Sequence, residues 1–226
     1  RLGVGQFGRL DTRAFWFMVR DHFTLTVNDK LDLLFGTDII ASPFSFDFQF
    51  YALNFSDDPN AEAEEYRFEN VVFGISPALF AEMRVKLADE RIRLTPSLRG
   101  DLYTVPDQFV SAWIDPRMSA QFTPDPAKRL DIKTSIGIYH QNPQPFEILD
   151  VTGNPDLAPE QSVQVTLGAE LRFTDFLSLD VQGFYKRLDK LVVFSTDGAQ
   201  AGGSDTAWTN SGDGHIWGAE VFLRLL

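Results

Sequence analysis

The stretch from Val163 to Phe173 reads Val-Gln-Val-Thr-Leu-Gly-Ala-Glu-Leu-Arg-Phe, and its pattern decides the fold. Its odd-numbered residues are all apolar, and its even-numbered residues are polar or glycine. Successive side chains of a β-strand point to opposite faces, so this pattern predicts a strand with one apolar face and one polar face. A helix would instead place apolar residues at i, i+3, i+4 and i+7, and the stretch does not do so.

The same alternation continues through most of the chain. It returns from Leu177 to Tyr185 after three turn residues, and it is equally clear from Ile92 to Leu102 and from Trp217 to Leu225. The fold class is therefore all-β. The alternation predicts about nine strands, near residues 10–27, 30–42, 66–87, 91–104, 109–123, 129–140, 161–173, 176–195 and 207–226.

Composition excludes several classes of protein. The 226 residues include 32 acidic and 20 basic ones, a net charge of −12, which argues against a nucleic-acid-binding surface. Cysteine is absent, which rules out disulfides and cysteine-based metal sites. No segment approaches the roughly 18–20 consecutive apolar residues of a membrane-spanning helix. A membrane β-barrel remains compatible with this sequence, because its strands carry a weaker hydropathy signal.

Strand and loop lengths favour an antiparallel up-and-down transmembrane β-barrel. The predicted strands exceed about ten residues, which suffices for a tilted strand to cross a bilayer, whereas strands of soluble proteins usually have about 5–6. Short connections alternate with longer ones at 41–65, 141–160 and 196–206, although 105–108 is short. Such barrels have short periplasmic turns and long outer loops. A soluble sandwich would also have one apolar and one polar face. The preference for a membrane barrel over a soluble sandwich therefore rests on the strand and loop lengths.

Two motifs carry a family resemblance. Residues 153–160 read Gly-Asn-Pro-Asp-Leu-Ala-Pro-Glu, and Asn210-Ser211-Gly212 is followed by the strand sequence Ile-Trp-Gly-Ala-Glu at 216–220. They resemble the Asn-Pro-x-Leu-x-Pro-Glu signature and the later strand of TonB-dependent outer-membrane receptors, specifically over about 90–226. The resemblance implies a structural role for nine residues: Asn154, Pro155, Leu157, Pro159, Glu160, Asn210, Gly212, Gly218 and Glu220.

The resemblance also implies a place and a function. Members of this family lie in the outer membrane, contact its lipid and take up scarce nutrients such as siderophores, cobalamin or glycans. They couple to the TonB complex through a plug domain, which this sequence does not show. Transporters of this kind have about 22 strands. We therefore expect residues 1–226 to be one partial barrel, an open section of a larger wall whose first and last strands do not pair.

Candidate binding residues are few in this sequence. Tyr139 and His140 end a predicted strand at a long loop, and Trp208 begins the last strand after another, so these three are expected to contact a small-molecule ligand such as a metal chelate. No spacing indicates a metal site, a cofactor or a catalytic group, so we do not expect an enzyme. The alternatives are a non-coupled outer-membrane porin, a barrel-borne outer-membrane enzyme and a soluble all-β binding module.

Overall fold

The computed structural model describes residues 8–52, 64–148, 153–194 and 208–225. These residues form ten antiparallel strands and one short 3-10 helix, Pro145–Glu147. Among them, no helix is long and apolar enough to cross a membrane. The strands are β1 Gly8–Ala14, β2 Phe17–Asn28, β3 Leu31–Ala52, β4 Glu64–Leu87, β5 Ile92–Val105, β6 Phe109–Phe122, β7 Leu130–Gln141, β8 Glu160–Arg172, β9 Leu177–Phe194 and β10 Trp208–Leu225.

The first two strands form one interrupted strand. Both pair antiparallel with β3, β1 with its second half and β2 with its first half. The break at Phe15 and Trp16 lies beside Pro43, which has no N–H to donate to the ladder. Phe15 N still donates to Pro43 O at 3.1 Å, so the two pieces stay aligned. Counting them together reconciles ten observed strands with about nine predicted ones.

The sheet is open, as predicted. Its order is β1-β3-β4-β5-β6-β7-β8-β9-β10, with β2 also pairing β3. Within the described ranges, β1 and β2 pair only with β3, and β10 pairs only with β9. Consecutive strands are neighbours throughout, which is an up-and-down topology. The prediction of an all-β, antiparallel, unclosed barrel section is confirmed.

Strands β3 and β4 run further than the sequence predicted. They have 22 and 24 residues, whereas we expected β3 to end near 42 and a loop to span 41–65. The strand continues past Pro43 because the alternation itself continues, but with its polarity exchanged. Ser45, Asp47 and Gln49 occupy the positions that carry apolar residues earlier in the strand. The centre of the predicted loop, residues 53–63, lies outside the described residues, as does the predicted loop at 196–206.

The two faces of the sheet differ sharply in chemistry. We call the face that carries the odd-numbered residues of β8 the apolar face, and the opposite one the polar face. Large apolar side chains on the apolar face are exposed, Leu167 to 63%. Others on this face with at least half of their surface exposed include Leu79, Leu98, Ile114, Ile136, Val221 and Leu223. Such a wall is stable only against lipid or another apolar surface.

Aromatic rings fill glycine positions on the polar face. Phe80, which breaks the alternation of β4, pairs with Gly36 in the register and covers it, since a Cβ at Gly36 would lie 2.2 Å from Phe80 Cζ. Phe184 covers Gly218 in the same way, with a corresponding distance of 2.6 Å. The neighbouring strand β9 thus fills the space that the missing Cβ of Gly218 leaves.

Substituting alanine at Gly36 is expected to destabilise the barrel by about 1–3 kcal/mol, because overpacking forces backbone shifts. The new Cβ would meet the backbone oxygen of Asp21 at 2.7 Å as well as the Phe80 ring. Gly100 is the matched control, because a Cβ there would have nothing within 4 Å. Urea unfolding of the two variants in detergent should separate them. Equal stabilities for Gly36→Ala and Gly100→Ala would contradict the packing described here.

Candidate functional site

The polar face carries a network of paired charges, and Asp38 is its most buried member. Asp38 is 1% exposed and lies between two guanidinium groups. Arg20 donates to both of its oxygens, and Arg99 Nη1 donates to Oδ2 at 2.5 Å. Arg99 also binds Asp101 through Nη2 at 2.8 Å. A cavity of about 250 Å³ adjoins this group of charges. The wall therefore offers water and ligands a polar surface in which the charges are already paired.

A second group of charges lies near the short turns of the sheet. Lys133 Nζ donates to Glu170 at 2.5 Å and to Asp180 at 3.3 Å. Arg172 binds Asp131 at 2.7 Å and Glu170 at 3.3 Å. These residues belong to β7, β8 and β9, so the ion pairs cross-link three consecutive strands. Together the two groups give the polar face a charged lining across most of its width.

His140 is held between two partners. In the tautomer that satisfies both contacts, Nδ1–H donates to Asp115 at 2.7 Å and Nε2 accepts from Gln161 Nε2 at 3.1 Å. Trp113 packs beside the imidazole, with ring centroids 6.1 Å apart. Both ring nitrogens are thus engaged within the wall. This arrangement suits a positioning role better than direct coordination of a metal.

Tyr139 lies on the polar face under a cation. The guanidinium carbon of Arg117 sits 4.3 Å from the centre of the Tyr139 ring, within the range of a cation–π interaction. The ladder between β6 and β7 ends at Arg117 and Gly137, so both side chains lie where these strands stop pairing. Arg117 also binds Asp115 at 3.2 Å, which connects Tyr139 to the partner of His140. The structure thus brings two of the three predicted ligand residues into one cluster.

Trp208 belongs to a different cluster at the same end of the sheet. Its ring packs edge-on against Phe146 at 5.8 Å and against Phe194 at 5.1 Å. It borders the main hydrophobic core of the described chain, whose buried members are Val72, Tyr103, Val105, Phe109, Ile148 and Leu157. Ile148 and Leu157 come from the connection between β7 and β8, so this core fixes that connection to the wall.

The two sequence motifs meet in space. Asn210 Oδ1 accepts from Ala158 N at 2.7 Å, and Asn210 Nδ2 donates to Ala158 O at 2.9 Å. The same amide reaches Lys190 O at 2.8 Å, where β9 carries a residue with φ of 59°. Asn154 Nδ2 donates to Trp208 O at 2.9 Å. The asparagines therefore tie the connection before β8 to the start of β10.

The remaining motif residues lie in the connection before β8, at the start of β8, or on β10. Glu160 accepts from Val192 N at 2.8 Å, and Leu157 is buried. Gly212 allows close approach, because a Cβ there would lie 2.9 Å from Leu191 Cβ. The other four motif positions are Pro155 and Pro159 in the connection and Gly218 and Glu220 on β10.

Glu147 is a partly buried acid in the connection between β7 and β8, outside the strands. Its carboxylate accepts from Gln144 N at 2.6 Å, and burial raises the pKa of Glu147 above its ordinary value. The nearby Glu160 carboxylate raises this pKa further, while the backbone hydrogen bond lowers it. In the described part of the chain, no group of three metal-ligating acids or histidines lies close enough to hold an ion.

Comparison with known proteins places this architecture in a family. The family profile described as TonB dependent receptor-like, beta-barrel matches residues 2–225. The chain belongs to this family. A search of curated proteins finds no match. The prediction of a TonB-dependent receptor barrel section is confirmed at the level of the family.

Solved structures show the same fold at low sequence identity. The ferric enterobactin receptor PfeA from Pseudomonas aeruginosa matches with a TM-score of 0.66 and 16% identity over 94% of this chain and 33% of its own. The siderophore receptor PiuA from Acinetobacter baumannii matches with a TM-score of 0.63 and 14% sequence identity. The match covers 96% of this chain and 36% of PiuA. The copper transporter OprC matches with a TM-score of 0.65 and 17% sequence identity. The match covers 95% of this chain and 35% of OprC. The chain thus spans about a third of the structures that it matches.

Proposed function

We propose that this TonB-dependent receptor barrel takes up a scarce small-molecule nutrient across the outer membrane. The observation that carries the proposal is the pair of opposed faces, one charged and one apolar and exposed, on an open up-and-down sheet. A large barrel made of such a wall has a hydrated lumen and a lipid-facing exterior. The described parts of the connection between β7 and β8, residues 142–148 and 153–159, then lie on the outer side, and the turns at 123–129 and 173–176 lie on the periplasmic side.

A metal chelate is the ligand class that we favour. Similar solved structures are described as a copper transporter, a siderophore receptor and a ferric enterobactin receptor. A bare metal ion fits less well, because both nitrogens of His140 already have partners in the wall. We propose Tyr139 and Trp208 as contacts for the organic part of the chelate, with His140 positioning the wall beside them. Cobalamin and glycans remain the other ligand classes.

Energy coupling in this proposal belongs to a plug domain outside the present sequence. The TonB complex would contact that domain, and the wall described here would supply the passage and part of the capture surface. We propose no catalytic role and no cofactor for the wall. The polar face offers paired charges, which suit a hydrated passage, and Asp38, Asp131 and Glu170 are already engaged by arginine or lysine.

Uptake in cells tests this proposal. Cells that express the complete protein and cells that lack it would receive radiolabelled ferric and copper chelates, cobalamin or an oligosaccharide. We expect one ligand class to accumulate only in expressing cells, and an uncoupler of the proton gradient to abolish the accumulation. Accumulation that survives the uncoupler would instead indicate a non-coupled pore. No accumulation of any class above the deletion strain would refute uptake as the function.

A further inference from the structure

Three basic side chains at the short-turn end of the sheet have no ion-pair partner among the described residues. They are Lys128 and Arg129, which close the turn between β6 and β7, and Arg224 near the end of β10. Elsewhere on the same wall, Arg99 and Lys133 are paired with carboxylates. Like charges that lie near one another repel. A negatively charged ligand beside these three cations would therefore be stabilised.

All three line one cavity of about 500 Å³. The turn at 123–129 forms one side of this cavity, and the turn at 173–176 forms another. Both sides of the cavity are therefore short connections between paired strands. Arg172 adds a fourth cation, held in place by Asp131 at 2.7 Å and by Lys128 O at 2.8 Å. Such a volume falls within the roughly 300–1,000 Å³ typical of small-molecule sites.

The lining of the cavity has an excess of positive charge, whereas the whole chain has an excess of negative charge. Its lining has the cations Lys128, Arg129, Arg172 and Arg224 and the acids Glu170 and Asp175, four against two. Glu170 is already bound to Lys133 at 2.5 Å, so it offers little attraction to a further cation. The whole sequence has a net charge of −12, which makes this local excess of positive charge distinctive.

We propose that this cavity binds a small organic anion with two or three carboxylate or phosphate groups on an apolar frame. The cations match the anionic groups, and Phe176 and Ala127 supply apolar surface for the frame. A single inorganic phosphate would leave most of the cavity and that apolar surface unfilled. The inference concerns equilibrium binding, so it stands whichever ligand the barrel transports.

Isothermal titration of the complete protein in detergent with benzene-1,3,5-tricarboxylate tests the site. This probe carries three carboxylates on an apolar ring. We expect saturable binding that weakens as salt is added, because charge-assisted hydrogen bonds hold the ligand. The double substitution Arg129→Gln with Arg224→Gln should weaken binding about tenfold or more, since each lost charged hydrogen bond is worth a sizeable part of the affinity.

Matched controls separate this site from general charge effects. Arg91→Gln removes an exposed arginine from the turn between β4 and β5, at the same end of the sheet but outside the cavity. It should leave binding within about twofold, whereas a loss equal to that of the double variant would overturn the proposal. Equal binding of the uncharged tricarboxamide, or of inorganic phosphate, would also overturn it. So would unchanged binding in the double variant.

Discussion

Replacing Leu167 with arginine is expected to destabilise the inserted barrel by about 2–4 kcal/mol, because a charged side chain near the bilayer midplane must be transferred into lipid. Leu167 is 63% exposed on the apolar face and lies in the middle of β8. It pairs with Gly183 on β9, so no large neighbour across the strand shields it. The free energy of unfolding, measured by urea titration in lipid vesicles, gives the value directly.

Gln182→Arg is the matched control for this prediction. Gln182 lies one position along β9 from the partner of Leu167, at nearly the same depth but on the polar face. Its side chain donates to Asp180 at 3.2 Å, and an arginine could bind the same carboxylate. We expect a change within about 0.5 kcal/mol for a substitution of this kind. Equal losses for the two variants would mean that the faces are not divided between lipid and lumen.

Replacing Asp38 with asparagine is expected to cost about 3 kcal/mol, because removal of one partner leaves the other charges of a buried group uncompensated. Asp38 is almost fully buried, and both Arg20 and Arg99 depend on its carboxylate. Since Arg20 is largely exposed, water recovers part of its charge, which places the cost at the low end of the range for buried pairs. Urea unfolding in detergent measures this loss.

Asp11→Asn provides the comparison for an exposed pair. Asp11 binds Arg9 at 2.6 Å, and both side chains are more than half exposed. Exposed pairs contribute about 0–1 kcal/mol, so this variant should be nearly neutral. Adding Arg20→Gln to Asp38→Asn should restore part of the lost stability, because it removes one uncompensated charge. A neutral Asp38→Asn variant would show that the group of charges around Asp38 does not hold the wall together.

The fold could be predicted from the sequence because alternation is a local signal. Most strand bounds follow from it, whereas the open sheet was expected from the family resemblance, whose barrels have about 22 strands. The exceptions have physical causes. Phe80 interrupts the alternation because Gly36, distant in sequence, leaves room for its ring on the polar face. The second half of β3 was read as a loop because the polarity of its faces exchanges after Pro43, while the strand itself continues.

The candidate site was harder to predict, because its contacts join distant strands. The position of His140 at a strand end suggested exposure to a ligand, but nothing near it in sequence indicates Asp115, 25 positions away. Glu170 is bound by Lys133, which lies 37 positions away in the sequence. Lys186 lies over the Phe184 ring at 5.6 Å. Alternation fixes which face each side chain takes, but the exact partner across the sheet also depends on turn geometry.

The distance between the two edges of the sheet in the complete protein tests the central claim most directly. Because this chain has no cysteine, Thr24→Cys on β2 and Glu220→Cys on β10 can carry spin labels in membranes, once any cysteines elsewhere in the protein are replaced. Pulsed electron paramagnetic resonance then gives the separation. Strand positions spaced by 4.7–4.9 Å around a large barrel predict about 25 Å or more. A separation below about 10 Å would place β2 and β10 side by side in a small closed barrel and would contradict this account.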